Sequence, residues 1–302
     1  MEIQKKDIAR KDFSTEKFKT DLSIRILEDH EIISGEEGIK YANRKDDRSL
    51  NYSMVALDIA ERFGLQGKPH YTDEPRQILE VCSGSGQLAR YLSEHTHATI
   101  IATDGSRELI SSAKQRYGPI SKIRFEVQDL HNHPYRGEND VVVCKDSFHH
   151  LTDPKQAIEE LLGLAKPGGY VYIYDLARDA PSVQVERRIS LMESDHEKTR
   201  ILQSLNASFT RDEIKEILNQ SSAEAYEIVE PLRFSDESFE LHKDQIGIDR
   251  VKEHEFDGLS RILILKKVNP RELQRRAKEM LSSQIGDKLR GRKLEGFLED
   301  LS

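Results

Sequence analysis

A glycine-rich turn and an acid that follows it suggest the first chemical site. Gly84 and Gly86 lie in the stretch ILEVCSGSGQLARYL, residues 78–92, between an apolar run and a helical pattern. Glycines at such a junction let the backbone approach a ligand closely, and the start of the helix offers unpaired N–H groups. Asp104 follows 18 residues after Gly86, at the end of the next apolar run. This arrangement predicts a site for an adenosine-containing cofactor.

Two classes of cofactor fit this turn. Residues 84–89, GSGQLA, match the G-x-G-x-x-G/A fingerprint of dinucleotide binding, and Asp104 lies close to the separation expected of a ribose-binding acid. An NAD(P)-dependent oxidoreductase is therefore one interpretation. The glycine fingerprint alone is a weak signal, so the surrounding segments must decide between the two.

The segment NDVVVCKDSFHHLTDP, residues 139–154, holds candidates for acid–base chemistry. A histidine pKa near neutrality suits the removal of a proton from a hydroxyl or amine. His149 or Asp146 is therefore a candidate catalytic base, and the alternative is that His149 and His150 bond backbone groups at the floor of a cleft. Lys145 is expected to pack along a cofactor through its aliphatic stem.

The remaining histidines and the cysteines predict no metal site. Two pairs of histidines are spaced by two residues but have no further ligands near them in the sequence. These are His95 with His97 and His131 with His133. Cys82 and Cys144 each close an apolar run, so neither a disulfide framework nor a cysteine-based zinc site is predicted.

Strands and helices alternate from residue 77 to residue 175, and these elements must position the candidate residues. Five apolar runs predict strands: QILEV, ATIIAT, KIRFEV, DVVVC and YVYIYD. Three helical patterns lie between them: QLARYLSEH, RELISSAKQRY and PKQAIEELLGLAK. This order predicts a parallel sheet covered by helices on both faces. The stretch KPGGY, residues 166–170, is predicted to end its helix before the next strand begins.

The flanking segments predict additions to this core. Residues 1–70 are predicted to form a helical N-terminal cap, and 71–268 a core with substrate-covering insertions at about 178–206 and 232–258. A helix in FTRDEIKEIL begins with Thr210 and Glu213 in capping-box spacing, and AYEIVEP and SRILILKKV predict two more strands. Residues 269–302 predict an amphipathic helical tail that packs on the core or forms a homodimer.

Five segments in order resemble the motifs of the class I S-adenosylmethionine-dependent methyltransferases. LEVCSGSG resembles the first motif, an acid, any residue and G-x-G-x-G, with Glu80, Cys82, Gly84 and Gly86 in the four places. Cys82 stands for the first glycine and must adopt backbone angles that a side chain tolerates. ATDGS, FEVQDL, NDVVVCKDSFHHLTDP and AKPGGYVYIYD resemble the second to fifth motifs. The resemblance is specific over about residues 75–177 and looser to 267.

The resemblance implies an α/β Rossmann-like fold, a doubly wound, mostly parallel seven-stranded sheet, and S-adenosylmethionine as the cofactor with S-adenosylhomocysteine as the product. Asp104 is implied to bind the ribose hydroxyls, Asp129 to lie near the adenine amine, and Glu80 to stabilise the methionine end. Tyr41 and Arg44 lie where relatives place a helix over the cofactor. The full set implied for cofactor binding is Tyr41, Arg44, Glu80, Cys82, Ser83, Gly84, Gly86, Asp104, Gly105, Asp129, Leu130 and Lys145.

Composition narrows the choice of partner. The chain has 302 residues and a formal net charge of −8, which disfavours a protein that tracks a nucleic-acid backbone. No apolar run approaches the ~18 residues of a membrane-spanning helix, and the start lacks a signal-like apolar region. The sequence therefore predicts a cytoplasmic methyltransferase that acts on an O, N or C atom of a small-molecule acceptor. An NAD(P)-dependent oxidoreductase and a non-catalytic S-adenosylmethionine-binding subunit remain as alternatives.

Overall fold

A seven-stranded sheet organises the chain in the computed structural model, which describes residues 22, 24–28, 35–42, 49–67, 75–190, 192, 194–229 and 259–275. In chain order the strands are β1 (Gln77–Val81), β2 (Thr99–Asp104), β3 (Ile123–Val127), β4 (Asn139–Lys145), β5 (Ala165–Leu176), β6 (Ala223–Val229) and β7 (Ser260–Lys267).

Helices connect and cover these strands. They are α1 (Gly35–Ala42), α2 (Ser49–Arg62), α3 (Gln87–His95), α4 (Arg107–Tyr117), α5 (Pro154–Leu164), α6 (Ser182–Ser190), α7 (Asp195–Ala207) and α8 (Arg211–Asn219), with a 3-10 helix at Phe148–His150. Residues 270–275 are also helical. Among the helices of the described ranges, none has the length and apolar character needed to cross a bilayer.

The strand order is β3-β2-β1-β4-β5-β7-β6. Strands β1 to β5 pair in parallel, whereas β7 runs antiparallel to both β5 and β6. The predicted doubly wound, mostly parallel seven-stranded sheet is therefore confirmed. Because the chain leaves β1 in one direction to β2 and returns on the other side as β4, the carboxyl ends of β1, β2 and β4 border the crevice where open α/β sheets bind ligands.

Apolar side chains cover both faces of the sheet. In β4, Val141 and Val143 pack in one buried cluster with residues of α2, α3 and α4, while Val142 and Cys144 pack in a second cluster with α5 and α8. Burial on both faces explains why the central strands are continuous apolar runs in the sequence. The alternation of β4 between the two clusters also fixes its register, since a shift by one residue would exchange the faces.

Side-chain caps fix where several helices begin. The predicted capping box is confirmed, because the Thr210 hydroxyl accepts from the Glu213 backbone and the Glu213 carboxylate accepts from the Thr210 backbone. The Asp153 side chain accepts from the backbone N–H of Gln156, and Pro154 occupies the first turn of α5. Since Asp153 closely follows the 3-10 helix, this cap also fixes where the chain passes from the 3-10 helix into α5.

The KPGGY stretch differs from its prediction. The helix ends at Leu164 as expected, but strand β5 already begins at Ala165, and its pairing with β4 shifts between Asn139 and Val141 in a bulge. Gly168 has φ +78°, and a Cβ on Gly169 would lie 2.9 Å from the Asn139 carbonyl oxygen. The glycines therefore serve a bulge inside the strand, where the two backbones come too close for side chains.

The structure describes only parts of the predicted additions. Helices α6 and α7 lie within the insertion predicted at about 178–206, whereas the insertion predicted at 232–258 and residues 276–302 of the tail are outside the described residues. The division into cap, core and tail therefore stays a prediction.

Candidate functional site

The turn after β1 has an unusual backbone. Cys82, Gly84 and Gly86 all lie in the left-handed region, with φ values of 52°, 56° and 82°. A Cβ on Gly84 would meet nothing within 4 Å, whereas a Cβ on Gly86 would lie 2.6 Å from the Phe125 ring. Gly84 therefore borders open space that a ligand can enter, while Gly86 is required by packing. Cys82 adopts a backbone angle that glycine tolerates better, and its side chain makes this conformation strained.

Asp104 joins the end of β2 to this turn. Its Oδ2 accepts from the Gly84 N–H at 2.8 Å, and its Oδ1 accepts from the Ser106 N–H at 2.8 Å. Burial raises the pKa of Asp104, although these two hydrogen bonds oppose the shift. Each carboxylate oxygen can accept a second hydrogen bond, so Asp104 keeps the capacity to bind hydroxyl groups beside the turn. Gly105 lies between Asp104 and Ser106 at the same edge.

The segment after β3 follows Asp104 closely. The Gln128 N–H donates to the Asp104 carbonyl oxygen at 3.0 Å, which brings the following residues to the same edge of the sheet. Asp129 is exposed and accepts from the His131 N–H at 2.9 Å, whereas Leu130 is buried. A solvent-facing acid beside a buried apolar side chain suits a planar ring with a polar edge, which is the shape of adenine.

Glu80 is the buried acid of the site. Its side chain is almost fully buried in β1, and its Oε2 has no hydrogen-bond partner among the described residues. Burial raises the pKa of Glu80 to about 8, although Lys145 opposes the shift. The Ser83 hydroxyl in the glycine turn is likewise buried and without a partner within the described ranges. Unpaired buried oxygens of this kind call for a ligand or water, and two beside a glycine turn fit the cationic ammonium end of a methionine.

Lys145 packs at the end of β4 between two aromatic rings. Its Nζ lies 4.6 Å from the centre of the Tyr52 ring and 4.9 Å from that of Tyr174, and it pairs with the neighbouring Asp146 carboxylate. Asn51 donates to the Tyr174 hydroxyl at 3.0 Å and ties α2 to β5. The sequence analysis named Lys145 and Asp146 but missed both tyrosines; the aromatic residues of YVYIYD were the available signal for Tyr174.

His149 and Asp175 form a buried pair. The His149 Nδ1 lies 2.6 Å from Asp175 Oδ1, and the His149 N–H donates to Asp175 Oδ2 at 2.7 Å. Burial by itself lowers the pKa of His149, but the Asp175 carboxylate outweighs it and the pKa is raised. The His149 Nε2 is buried and has no partner in the described part of the chain. With Nδ1 bound to Asp175, Nε2 is the nitrogen left for chemistry.

An N-terminal segment, residues 24–28, lies over this histidine. Arg25 donates to the carbonyl oxygens of Ala207 at 2.7 Å and His149 at 3.2 Å. Glu28 Oε2 lies 3.2 Å from His150 Nδ1. Burial alone would raise the pKa of Glu28, but its contacts with His150 and Ser204 lower it to about 2. The sequence analysis missed Glu28, because it is far from the histidines along the chain and no local pattern marks it.

The remaining predicted positions are less central. Tyr41 lies in the last turn of α1, where the Arg200 guanidinium is 5.6 Å from the centre of its ring. Its place beside the cofactor stays a prediction. Arg44 is outside the described residues.

Cys82 and Cys144 are both free thiols, and the contact with Cys82, together with burial, raises the pKa of Cys144 well above its usual value.

Comparison with known proteins identifies a methyltransferase domain in this chain. A family model described as a methyltransferase domain matches residues 79–173, which run from β1 to β5. The ubiquinone biosynthesis O-methyltransferase of Vibrio parahaemolyticus is 29% identical over 161 residues, which are 49% of this chain and 62% of that protein. The demethylmenaquinone methyltransferase of Deinococcus radiodurans is 30% identical over 104 residues, 33% of this chain and 43% of that protein. The chain thus spans less than two thirds of the length of either relative.

Solved structures share the fold. The plantazolicin methyltransferase BpumL, solved in complex with SAH, aligns with a TM-score of 0.57 at 23% identity and covers 76% of this chain and 88% of that one. At this identity the likeness concerns the fold alone. Three observations point to the same kind of protein. They are the matched methyltransferase domain, the order of the five motifs and the sheet with its antiparallel β7. The chain contains a methyltransferase domain over residues 79–173, and these findings support a class I S-adenosylmethionine-dependent methyltransferase.

Proposed function

We propose that this protein transfers a methyl group from S-adenosylmethionine to an O, N or C atom of a small-molecule acceptor. The observation that carries the proposal is the pair of carboxylates at the ends of β1 and β2, Glu80 and Asp104, on either side of a turn whose Gly84 borders open space. The names of the two relatives above, which specify ubiquinone biosynthesis and demethylmenaquinone, support a small-molecule acceptor.

The residues of the crevice fit the parts of this cofactor. Asp104 would accept from the ribose hydroxyls, Asp129 and Leu130 would bind the adenine, and Glu80 would hold the ammonium group. Ser83 adds a buried hydroxyl at the methionine end. When bound, the cofactor supplies a methyl group already activated by its sulfonium charge. The protein then mainly aligns the acceptor with the methyl group and excludes water. This positioning lowers the barrier of an in-line displacement.

We assign proton removal from a hydroxyl or amine acceptor to His149. Asp175 holds Nδ1, so the lone pair of Nε2 is available to the acceptor. Asp146 was the second candidate, but its carboxylate is paired with Lys145 and its backbone has φ 52°, which suits a residue that shapes the end of β4. Arg25 bonds the His149 carbonyl oxygen, and potential ligand atoms of Glu28 and His149 lie within 4.8 Å of each other, so we expect the acceptor to displace residues 24–28.

Loss of the Asp104 carboxylate tests the cofactor site. We expect Asp104→Ala to weaken S-adenosylhomocysteine binding by about 10- to 150-fold, because a charge-assisted hydrogen bond is worth roughly 1.5 to 3 kcal/mol. Isothermal titration calorimetry measures the affinity. Asp140→Ala is the matched control, since Asp140 is a buried acid at the opposite end of the sheet, paired with Arg76 and Lys166. Equal affinities in the two variants would refute the assigned geometry.

Two alternatives have distinct signatures. The match to a methyltransferase domain does not favour an NAD(P)-dependent oxidoreductase, which would be stabilised thermally by NAD and not by S-adenosylhomocysteine. A non-catalytic subunit would bind S-adenosylhomocysteine but would form none from S-adenosylmethionine with any phenol, amine or carboxylic acid in an acceptor panel.

The partner and location predictions stay open to experiment. Of the predicted C-terminal helix, only residues 270–275 are described, so a homodimer through this helix remains a proposal that light scattering after size-exclusion chromatography tests. The predicted cytoplasmic location likewise remains a proposal.

A further inference from the structure

We propose that Glu28, His149 and His150 bind a divalent transition-metal ion. One potential ligand atom from each of these three side chains lies within 4.8 Å of the other two. The two histidines are adjacent in the 3-10 helix after β4, and Glu28 comes from the segment that covers it. This site shares His149 with the proposed acceptor site but contains none of the residues proposed to bind the cofactor, and zinc binding can be tested without methyl transfer.

Two imidazole nitrogens of this cluster lack the partners that burial normally demands. His149 Nε2 and His150 Nδ1 are both buried without a hydrogen-bond partner among the described residues. His150 Nδ1 is only 3.2 Å from Glu28 Oε2, yet the two atoms are not aligned as a hydrogen bond. A buried polar atom without a partner is rare in native proteins and calls for an explanation. A cation shared by the three side chains satisfies all of these lone pairs.

Asp175 orients His149 as a metal ligand is usually oriented. The Nδ1–H of His149 donates to Asp175 Oδ1 across 2.6 Å, so the lone pair is on Nε2, on the opposite side of the ring. Metal-binding histidines almost always donate their other ring nitrogen to a carboxylate or carbonyl, which fixes the tautomer and makes the ligand more basic. Asp175 is therefore the outer partner of the proposed site.

Donor type and charge suit zinc or a similar ion. Two imidazole nitrogens and one carboxylate oxygen form a common three-ligand set for zinc, with the fourth position left to water. Bonds of about 2.0–2.1 Å to a tetrahedral ion place ligand atoms about 3.3 Å apart. His150 Nδ1 and Glu28 Oε2 are already 3.2 Å apart, and the other pairs, all within 4.8 Å, must close by at most about 1.5 Å. Glu28 and Asp175 together balance the double positive charge, while Arg25, bound to the His149 carbonyl, adds one positive charge nearby.

Occupation of this site has two consequences. The ion links residues 24–28 to the 3-10 helix and holds this segment over His149. It also occupies Nε2, and one lone pair cannot hold both an ion and an acceptor proton. The metal-bound form is therefore the closed form, in which His149 does not act as a base.

Zinc titration of the full chain tests the proposal. The protein is stripped with a chelator and titrated with ZnCl2 by calorimetry, without cofactor or acceptor. We expect one ion per chain, with binding weakened by at least about 10-fold in Glu28→Gln and in His150→Asn, since loss of an outer-shell partner alone costs 10- to 100-fold. His196→Asn is the matched control, because His196 is exposed on α7, and it should bind zinc as the wild type does.

A second readout protects the test from folding artefacts. Thermal unfolding without metal checks that each variant is folded, and Co2+ in place of zinc should give the visible absorption of a tetrahedral site in the wild type and lose it in His150→Asn. Absence of zinc binding in the wild type, or equal zinc affinity in all variants, would overturn the proposal. Neither result would affect the S-adenosylhomocysteine titration, so failure of the metal site and failure of the proposed function are distinguishable.

Discussion

At the scale of single residues, the site is built from acids in contrasting environments. Each oxygen of Asp104 accepts from one backbone N–H group, Asp129 is exposed, and Glu80 is buried with one oxygen unpaired among the described residues. The environment sets which form of each acid is stable. Burial makes Glu80 the acid whose protonation is most sensitive to the ligand.

Glu80 should make the stability of the free protein depend on pH. Its pKa is about 8 in the folded protein against an ordinary value of 4.5, so the folded state holds a proton that the unfolded state releases between these values. The free energy of unfolding should therefore fall as pH rises from about 4.5 to 8, and Glu80→Gln should flatten this slope. Urea denaturation of both proteins across this range measures the difference. Parallel pH profiles would show that Glu80 is ionised in the free protein.

His149 should affect turnover more than cofactor binding. We expect His149→Gln to lower kcat by about 10²- to 10⁴-fold for a hydroxyl or amine acceptor, the range for loss of a general base. The S-adenosylhomocysteine affinity should stay unchanged, because His149 is not among the residues proposed to bind the cofactor. His196→Asn serves as the control. A loss of affinity equal to the loss of kcat would indicate a structural role instead.

Individual site residues were only partly predictable from the sequence. The acids and glycines were predictable because the motif brings them together within a few residues of a strand end. The pairing of His149 with Asp175 was not predicted, and Glu28 and Tyr52 were missed. Their contacts span from about 90 to more than 120 residues of chain, so no local spacing reveals them.

At the scale of elements, the turn between β1 and α3 divides its two glycines between packing and binding. We expect Gly86→Ala to cost more stability than Gly84→Ala, because both pay about 1–2 kcal/mol for a left-handed backbone but only Gly86 meets a ring, Phe125 at 2.6 Å. Gly84→Ala should instead weaken S-adenosylhomocysteine binding, since its methyl group enters the open space. Urea denaturation and calorimetry on both variants measure the two effects. The reverse order of stabilities would contradict the account.

The positions of the helices were predictable from hydrophobic periodicity and from capping residues where the sequence contains them. The starts of α5 and α8 were marked by Asp153 with Pro154 and by Thr210 with Glu213. The KPGGY stretch misled because glycines that end a helix and glycines that form a bulge look alike in sequence. Only the pairing of β5 with β4 distinguishes them.

At the scale of the whole molecule, the sheet gathers the chemistry at one edge. The strand order β3-β2-β1-β4 places the ends of β2, β1 and β4 side by side, and with them Asp104, Glu80 and Lys145. The order of motifs in the sequence predicted this gathering because parallel strands of an open sheet end at a common edge. It did not predict that residues 24–28 lie over the 3-10 helix, since that contact depends on the path of the N-terminal segment across the finished fold.

The central claim is that carboxylates at the ends of β1 and β2 hold the nucleoside and methionine parts of S-adenosylmethionine. A crystal structure of the protein with S-adenosylhomocysteine bound tests it most directly. The account predicts the ribose hydroxyls within hydrogen-bond distance of Asp104, and the ammonium group at Glu80, directly or through one water. A ligand whose ribose lies away from Asp104, or a phosphate-binding mode at the start of α3, would contradict it.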